Sequence, residues 1–356
     1  MSQQTLTRPI LLPGLRPLWR SPHAVQLGTD PGQAMVLEFP HPAAAQLLDL
    51  LDGSRTEQAI IAEMSRLGMP FDDARKLLGD LVEAGLVVGA HTLMPPALPP
   101  ELRDRIATEA AALALRFRER PATPAAILRR RYDARVIVAG EGTLAGLMIT
   151  TLGEAGVGHV ATITEPGGPA ISVVCARRTL TTPEHPGAPQ PARTEPTSAR
   201  RILTTFDDSG GPQPARTEPA ASFVVQIGWM ARAPQRCARG VPHLTVGVRD
   251  GVAIVGPLVP ADGGPCLRCL DFHRTDRDPA WPRLAAQLIR SPAPCAAATL
   301  RTAAGFAVAE VLAFLDGGNP TTIGTTVEIN GVAPWRRRVW TTHPRCACTK
   351  HDDNPR

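Results

Sequence analysis

The chain has 356 residues, 43% hydrophobic and only 4% aromatic, with 37 prolines and 31 glycines. At about 100–200 residues per domain that length holds two or three domains, and the composition excludes a globally disordered chain. The formal charge is +5, from 38 basic and 33 acidic residues, yet the only lysines are Lys76 and Lys350. A P-loop, which needs a lysine after its last glycine, is therefore excluded.

Pro9, Pro13, Arg16 and Pro17 interrupt the N-terminal stretch, so no secretory signal is expected. The most apolar window, residues 306–315, contains Glu310 and is shorter than the ~20 residues of a membrane span. A cytoplasmic protein without a membrane partner is expected. The seven cysteines are odd in number and four form tight pairs near the C-terminus, which in a reducing compartment suggests metal before disulfides.

In chain order, residues 1–90 read as a small winged-helix module. Short strands are expected at 17–20, 25–27 and 35–39, with the turn chemistry of Thr29, Asp30, Pro31 and Gly32 between the last two. Ser54 and Glu57 have the spacing of a capping box, ahead of an apolar face of Ile60, Ile61, Met64 and Leu67. A further helix is expected over 71–84, burying Ala74, Leu77, Leu78, Leu81 and Val82, with Gly85 as its left-handed cap and a wing strand at Leu86 and Val87. Residues 91–133 read as a linker with helices: four prolines between Met94 and Pro100, then a helix through Leu102, Ile106, Leu113 and Phe117, then a shorter one capped at Thr123 and Pro124.

The second domain is expected at 134–350. A buried strand at 136–139, a turn through Gly140 and Gly142, a helix to about Ala155 and a strand at 160–164 make the opening βαβ of a doubly wound sheet. Later strands are expected at 223–227, 243–248 and 325–329, with a long helix at 296–315. The word PQPARTEP occurs at 189–196 and again at 212–219, so residues 181–221 read as a disordered insertion.

Cys266 and Cys269, with Cys346 and Cys348, are the strongest chemical signal. Two closely spaced thiolate pairs can complete a tetrahedral Zn²⁺ site, and four thiolates leave no open position for a catalytic water. Small buried cysteines without a ligand role are the alternative, with His343 and Cys295 as substitute ligands. The turn Gly140-x-Gly142-x-x-Ala145 matches a permissive dinucleotide fingerprint, and Glu165, next to Thr164 at the end of the second strand, could hold a ribose. A tight βα turn with no ligand accounts for it equally well. From Met1 to Pro95 the chain has seven Lys/Arg against ten Asp/Glu, a net of −3, which is the wrong sign for phosphate contact, so no nucleic acid is expected. An acidic helix beside an open strand edge can instead take an extended peptide as an added strand.

The second domain resembles the ThiF/MoeB-type fold of ubiquitin-activating enzymes. The residues that carry the likeness are Arg135 to Gly142, Leu152 to His159, Gly240 to Pro242 ahead of a strand, Pro265-Cys-x-x-Cys269 and the C-terminal cysteine pair. With an N-terminal module resembling a recognition element for ribosomally made, modified peptides (RiPPs), the arrangement is similar to leader-peptide-binding subunits that partner YcaO cyclodehydratases in thiazole/oxazole-modified peptide (TOMM) biosynthesis. Cys266 to Pro282 especially resembles actinobacterial members. The fold class implied is α/β: a winged-helix module, then a ThiF-like, Rossmann-type doubly wound sheet with a zinc knuckle.

The resemblance implies structural Zn²⁺, a precursor leader peptide and a YcaO-type cyclodehydratase as partners, and by analogy a homodimer through the sheet domain. Adenylating members carry an aspartate ending the second strand, then an arginine and a lysine, and a metal-holding aspartate after the 223–227 strand. Here those positions read Thr164, Pro166-Gly167-Gly168, no lysine, and Gly228-Trp229-Met230. ATP is therefore not expected, and a non-catalytic subunit is. Its peptide groove is expected between the 35–39 strand and the 71–84 helix, with Val36, Leu37, Arg75, Leu77 and Leu81 as candidates, although most of these also serve the module's own core. Leu37→Pro is the substitution expected to block strand addition. The alternatives are a ThiF/MoeB-like ATP-dependent adenylyltransferase and a winged-helix transcription regulator.

Overall fold

A computed structural model describes residues 6–32, 34–39, 44–117, 122–163, 172–175, 221–228, 240–288, 293–346 and 348. The expected insertion at 181–220, together with Thr164, Glu165, Trp229 and Met230, lies outside the described residues. The chain divides into two compact units, Met1–Arg130 and Arg131–Arg356.

In the first unit, β2 (Pro17–Ser21), β3 (Ala24–Leu27) and β4 (Met35–Glu38) form an antiparallel sheet in the order β2-β3-β4. Val25 and Leu27, with the apolar faces of α1 (Ala44–Leu50), α2 (Glu57–Arg66) and α3 (Phe71–Glu83), make one core that includes Leu47, Ile60, Ile61, Met64, Leu78 and Leu81. Two local signals resolve differently from their sequence reading. The cap of α2 is Thr56, whose hydroxyl accepts from Ala59 N at 3.3 Å. Asp52 takes both the amide and the hydroxyl of Ser54, and Glu57 accepts from Leu6 N instead of reaching back along its helix. At the end of α3, Gly85 (φ +66°) closes the helix as expected, with Gly85 N bonded to Val82 O and Leu86 N to Leu81 O.

The expected wing strand, β5 (Val87–Gly89), pairs antiparallel with β1 (Pro9–Leu11), a strand the sequence reading did not identify. The stretch expected as a linker continues this unit. The expected single helix breaks at Ile106 into α4 (Pro100–Arg105) and α5 (Ala107–Arg116), and Leu93 and Ala114 pack with Leu12. Thr123 caps α6 (Pro124–Asp133) as expected, accepting from Ala126 N at 3.2 Å.

The second unit is built on an eight-stranded mixed sheet in the order β13-β12-β11-β10-β9-β6-β7-β8. β6 (Arg135–Ala139), α7 (Thr143–Glu154) and β7 (His159–Ile163) form a parallel βαβ unit, and β9 (Phe223–Ile227) joins the other side of β6, also parallel. The strand order thus reverses direction at the carboxyl ends of β6 and β9, the position where open α/β sheets hold ligands. β10 (His243–Arg249) and β11 (Val252–Val259) make a hairpin whose turn residues, Asp250 (φ +52°) and Gly251 (φ +80°), suit a type I′ turn. β8 (Ser172–Cys175), β12 (Thr325–Ile329) and β13 (Arg336–Val339) complete the sheet, and α8 (Leu267–Arg277) and α9 (Trp281–Leu288) precede the long α10 (Ala297–Leu315).

Alternate residues of β6, β9, β10, β11 and β12 bury themselves under α7 and α10 in one core, with Val138, Val225, Val246, Val255 and Val327 at 1% exposure or less. α10 is long and apolar enough to cross a membrane by length and composition. Here Ala303, Ala307 and Val311 bury it in that core instead. Glu310, also buried on α10, accepts from Thr321 Oγ1, Thr322 N and Thr322 Oγ1, so the charge in the apolar run pins the loop that leads into β12.

Arg131 ends the run Arg129-Arg130-Arg131, and its side chain is 1% exposed. It forms a fork with Asp316, Nε to Oδ1 and Nη2 to Oδ2 at 2.7 Å each, while Nη1 donates to Ala155 O at 3.0 Å. The pair joins the start of this unit to the end of α10. Removing one partner of such a buried pair strands the other, a loss of about 3–5 kcal/mol. Arg131→Met is therefore expected to lower the urea midpoint of this unit sharply, and Arg131→Met with Asp316→Leu to recover much of it. An unchanged midpoint in the single variant would remove the pair from the account of stability.

Candidate functional site

Cys266 precedes α8 and Cys269 lies in its first turn, so the helix itself brings both sulfurs to one side, 3.8 Å apart. The chain returns after β13, and a turn in which Cys346 N donates to His343 O places the second pair against the first. Cys266 Sγ lies 3.6 Å from Cys346 Sγ, Cys269 Sγ lies 3.2 Å from Cys348 Sγ, and all four sulfurs fall within 4.8 Å of one another. Zn–S bonds of about 2.3 Å in a tetrahedron require sulfurs about 3.8 Å apart. The four cysteines named from sequence are thus brought together with the spacing a tetrahedral thiolate site needs.

The surroundings fit a closed site. Cys269 and Cys346 are buried, and His343 N donates to Cys269 Sγ at 3.3 Å, an outer contact that orients a ligating sulfur. Burial, together with bonds to the neighbouring thiols, pushes the Cys348 thiol well above its ordinary value. A divalent cation is the group that would hold four such closely placed sulfurs as thiolates. Bound there, Zn²⁺ would act as a cross-link between α8 and the C-terminal segment. Cys266, Cys269, Cys346 and Cys348 would hold it.

The substitute ligands are ruled out by their own bonds. His343 Nδ1 accepts from Arg345 N at 3.1 Å and its Nε2 bonds Asp276 Oδ2 at 2.8 Å, so both ring nitrogens are engaged. Asp276 also pairs with Arg345, and the His343 bond is the first cause of its lowered pKa. Cys295 bonds Gly251 O at 3.4 Å, outside the sulfur cluster.

The glycine turn sits where the fingerprint reading expects, between β6 and α7 with Gly142 as the cap residue of the helix. Its first glycine has a packing reason: a Cβ on Gly140 (φ +130°) would lie 2.7 Å from Ile227 Cβ and 2.8 Å from Ile227 O. Gly142 (φ +92°) faces open space. The close approach of β6 to β9 accounts for Gly140 without a ligand, and Glu165 lies outside the described residues.

Of the peptide-binding candidates, Val36 is 46% exposed and Arg75 is exposed with its guanidinium 5.0 Å from the Phe71 ring, itself half exposed. Leu81 is buried at 2%, and Leu37 and Leu77 are partly buried against the same core. Phe71 opens α3 as an exposed aromatic residue, a feature that helical periodicity, which assigns only the buried face, does not signal.

Among the described residues β4 is an edge strand, paired with β3 alone. Phe39 N donates to His23 O at 2.7 Å. Because successive amides of a strand point to opposite sides, the Leu37 amide also faces β3, and those of Val36 and Glu38 face the open edge. Leu37→Pro would break the β3–β4 ladder itself, so it cannot serve as the test of strand addition.

No protein-family model and no curated protein matches the chain. Among solved structures, the heterocyclase TruD aligns over 96% of this chain and 42% of its own, with a TM-score of 0.58 and 15% identity. The Microcin C7 biosynthetic enzyme MccB in complex with N-formylated MccA aligns over 96% of this chain and 99% of its own (TM-score 0.52, 15% identity), and E. coli MccB with ATP over the same shares (TM-score 0.53, 14% identity). The chain spans about two-fifths of TruD and nearly the whole of MccB, and it shares their α/β fold.

Proposed function

We propose that the chain is a non-catalytic subunit that binds the leader of a ribosomally made precursor peptide and presents it to a YcaO-type cyclodehydratase for azoline or azole formation. The observation that carries the reading is the open edge of β4, with two backbone amides turned outward and Val36 exposed among them. An extended leader adds to such an edge through main-chain bonds, and Val36, Arg75 and Phe71 offer side-chain contacts that select its sequence. In this reading the first unit is a winged-helix-like recognition element, its groove lying between β4 and α3. The second is a ThiF-like, Rossmann-type sheet kept as a scaffold, with a structural zinc knuckle and a surface for the partner enzyme.

Support comes from the two fold relatives, one named a heterocyclase and the other a Microcin C7 biosynthetic enzyme solved in complex with N-formylated MccA. The positions at which the resemblance places the phosphate-neutralising cations of adenylating members argue against adenylyl transfer: no lysine occurs between Lys76 and Lys350, and Pro166-Gly167-Gly168 stands where those members carry an arginine.

The test is isothermal titration of the zinc-loaded full chain with leader peptides encoded near its gene and, separately, with ATP·Mg²⁺. Micromolar peptide binding without nucleotide heat is the expected result. Nucleotide binding without peptide binding would overturn the reading in favour of an adenylyltransferase, a live comparison because MccB is solved with ATP.

A further inference from the structure

The second unit holds a cleft on the face of the sheet opposite α7 and α10. Strand alternation turns Arg249, Ile254, Thr326 and Glu328 to this side, while Val248, Val255 and Val327 face the core. α8, α9 and β13 close the cleft with Arg274, Arg277, Trp281, Arg338 and Trp340, leaving a volume of about 110 Å³. The indoles are fixed walls: Trp281 Nε1 donates to Asp271 Oδ1 at 3.1 Å and Trp340 Nε1 to Thr326 Oγ1 at 3.0 Å. Arg274 lies 5.0 Å from the Trp281 ring and 5.5 Å from the Trp340 ring, so its planar fork is held between them.

Arginine outnumbers acid in the lining of this cleft. Among the described residues three carboxylates stand within 4.0 Å of its four guanidiniums: Asp271 is 3.5 Å from Arg274, Glu328 is shared between Arg338 at 3.1 Å and Arg249 at 3.5 Å, and the exposed Asp250 is 3.9 Å from Arg249. Arg277 has no carboxylate within 4.0 Å among the described residues, and its guanidinium lies 5.6 Å from the Trp340 ring. Burial, with Arg249 and Arg338 pressing on it, lowers the Arg274 guanidinium to about 10 despite the attraction of Asp271.

A second observation stands apart from charge. A recess of about 10 Å³, room for roughly one water, shares the walls Ile254, Arg274 and Thr326 with the cleft and runs to Gly228 at the end of β9. Thr245 lines it, 3% exposed, and its hydroxyl has no hydrogen-bond partner among the described residues. Gln226, its partner in register on β9, likewise has a buried Oε1 without one among them. Buried polar atoms are normally satisfied, so this recess is shaped for a polar group.

We propose that the cleft binds a small oxyanion, a carboxylate or a phosphate, between the Arg274 fork and the guanidiniums of Arg277, Arg249 and Arg338. Arginine forks match such planar or tetrahedral oxygens with paired, charge-assisted bonds. The volume admits a carboxylate or one phosphate, but not a nucleotide, whose class of pocket starts near 300 Å³. The site does not depend on peptide capture by the first unit. It spans α8, which carries Cys269 and follows directly on Cys266, and β13, which leads to Cys346, so a bound anion would tie together the elements that the metal also joins.

Isothermal titration of the zinc-loaded full chain tests this, at ionic strength held constant with chloride, using inorganic phosphate in one arm and a short peptide acid and its amide in the other. One-to-one binding of phosphate alone identifies a phosphate site, and binding of the acid but not the amide a carboxylate site. Arg277→Gln, an exposed change that leaves the fold intact, and Arg338→Gln are each expected to weaken that binding about tenfold, with Arg55→Gln in the other unit as an unaffected control. No heat from any probe, or affinity unchanged in both cleft variants, overturns the proposal.

Discussion

Chelation of the purified chain is expected to remove one zinc ion and to lower the thermal midpoint of the second unit by about 10 °C or more. The four sulfurs lie within 4.8 Å of one another, yet the two pairs come from segments far apart in sequence. A metal held there closes a long loop and becomes part of folding. Structural zinc contributes on the order of 10 kcal/mol in zinc-finger peptides, and even half of that moves a unit of this size by roughly 10–20 °C. The damage should concentrate where the site clamps: α8, Trp340 and the turn at His343 should lose hydrogen-exchange protection first, while β6 and α7 keep theirs. Cys269→Ser, at a fully buried sulfur that also receives the His343 amide, should cost more than Cys295→Ser, which lies outside the cluster. Because ligation requires thiolates, zinc should be released more readily as pH falls. A folded chain that purifies without zinc and ignores chelator would remove the metal from the account.

Val36→Pro is expected to weaken leader-peptide binding at least tenfold while leaving the unfolding midpoint of the first unit within about 1 kcal/mol of the parent. The amide of Val36 faces the open edge of β4, so proline removes a donor available to an added strand and places its ring against the incoming backbone. One lost backbone bond contributes about 1 kcal/mol, and the steric block supplies the rest. Leu37→Pro acts on the opposite side, breaking the bond to β3, and should unfold the module. The contrast between adjacent positions is what strand addition requires. Equal leader affinity in folded Val36→Pro protein would exclude the edge as the docking surface, and a binding site on exposed side chains such as Phe71 would then be sought by Phe71→Ala.

Elements with strong periodicity were legible in the sequence. α3, α7, α10 and the strands β2, β3, β4, β6, β7, β9, β10 and β12 fall within a few residues of their expected places, because apolar spacing and turn residues are local properties. The elements missed had weaker local signals. β1 exists by pairing with the expected wing strand β5 across most of the first unit, and β13, rich in arginine, owes its place to β12. β11 did have a signal, the Asp250-Gly251 turn between two apolar runs, which marks a hairpin. Thr56 rather than Ser54 became the cap of α2 because Asp52 competed for Ser54, and that competition depends on geometry.

Sequence alone singled out Cys266, Cys269, Cys346 and Cys348 as a candidate metal-ligand set, since thiolate pairs at that spacing suit a tetrahedral site, and placed glycines in the β6–α7 turn. It also determined the acidic balance of residues 1–95 and the near absence of lysine, which follow from composition. Only the tertiary structure decided that the four sulfurs converge and that His343 is occupied by Asp276 and Arg345. It also decided that Arg131 is buried on Asp316, and that four arginines from β10, α8 and β13 share one cleft. The reason is physical: a residue's type and periodicity are written in the chain, but the partner that satisfies its charge or bond is chosen by which distant segment the fold lays beside it.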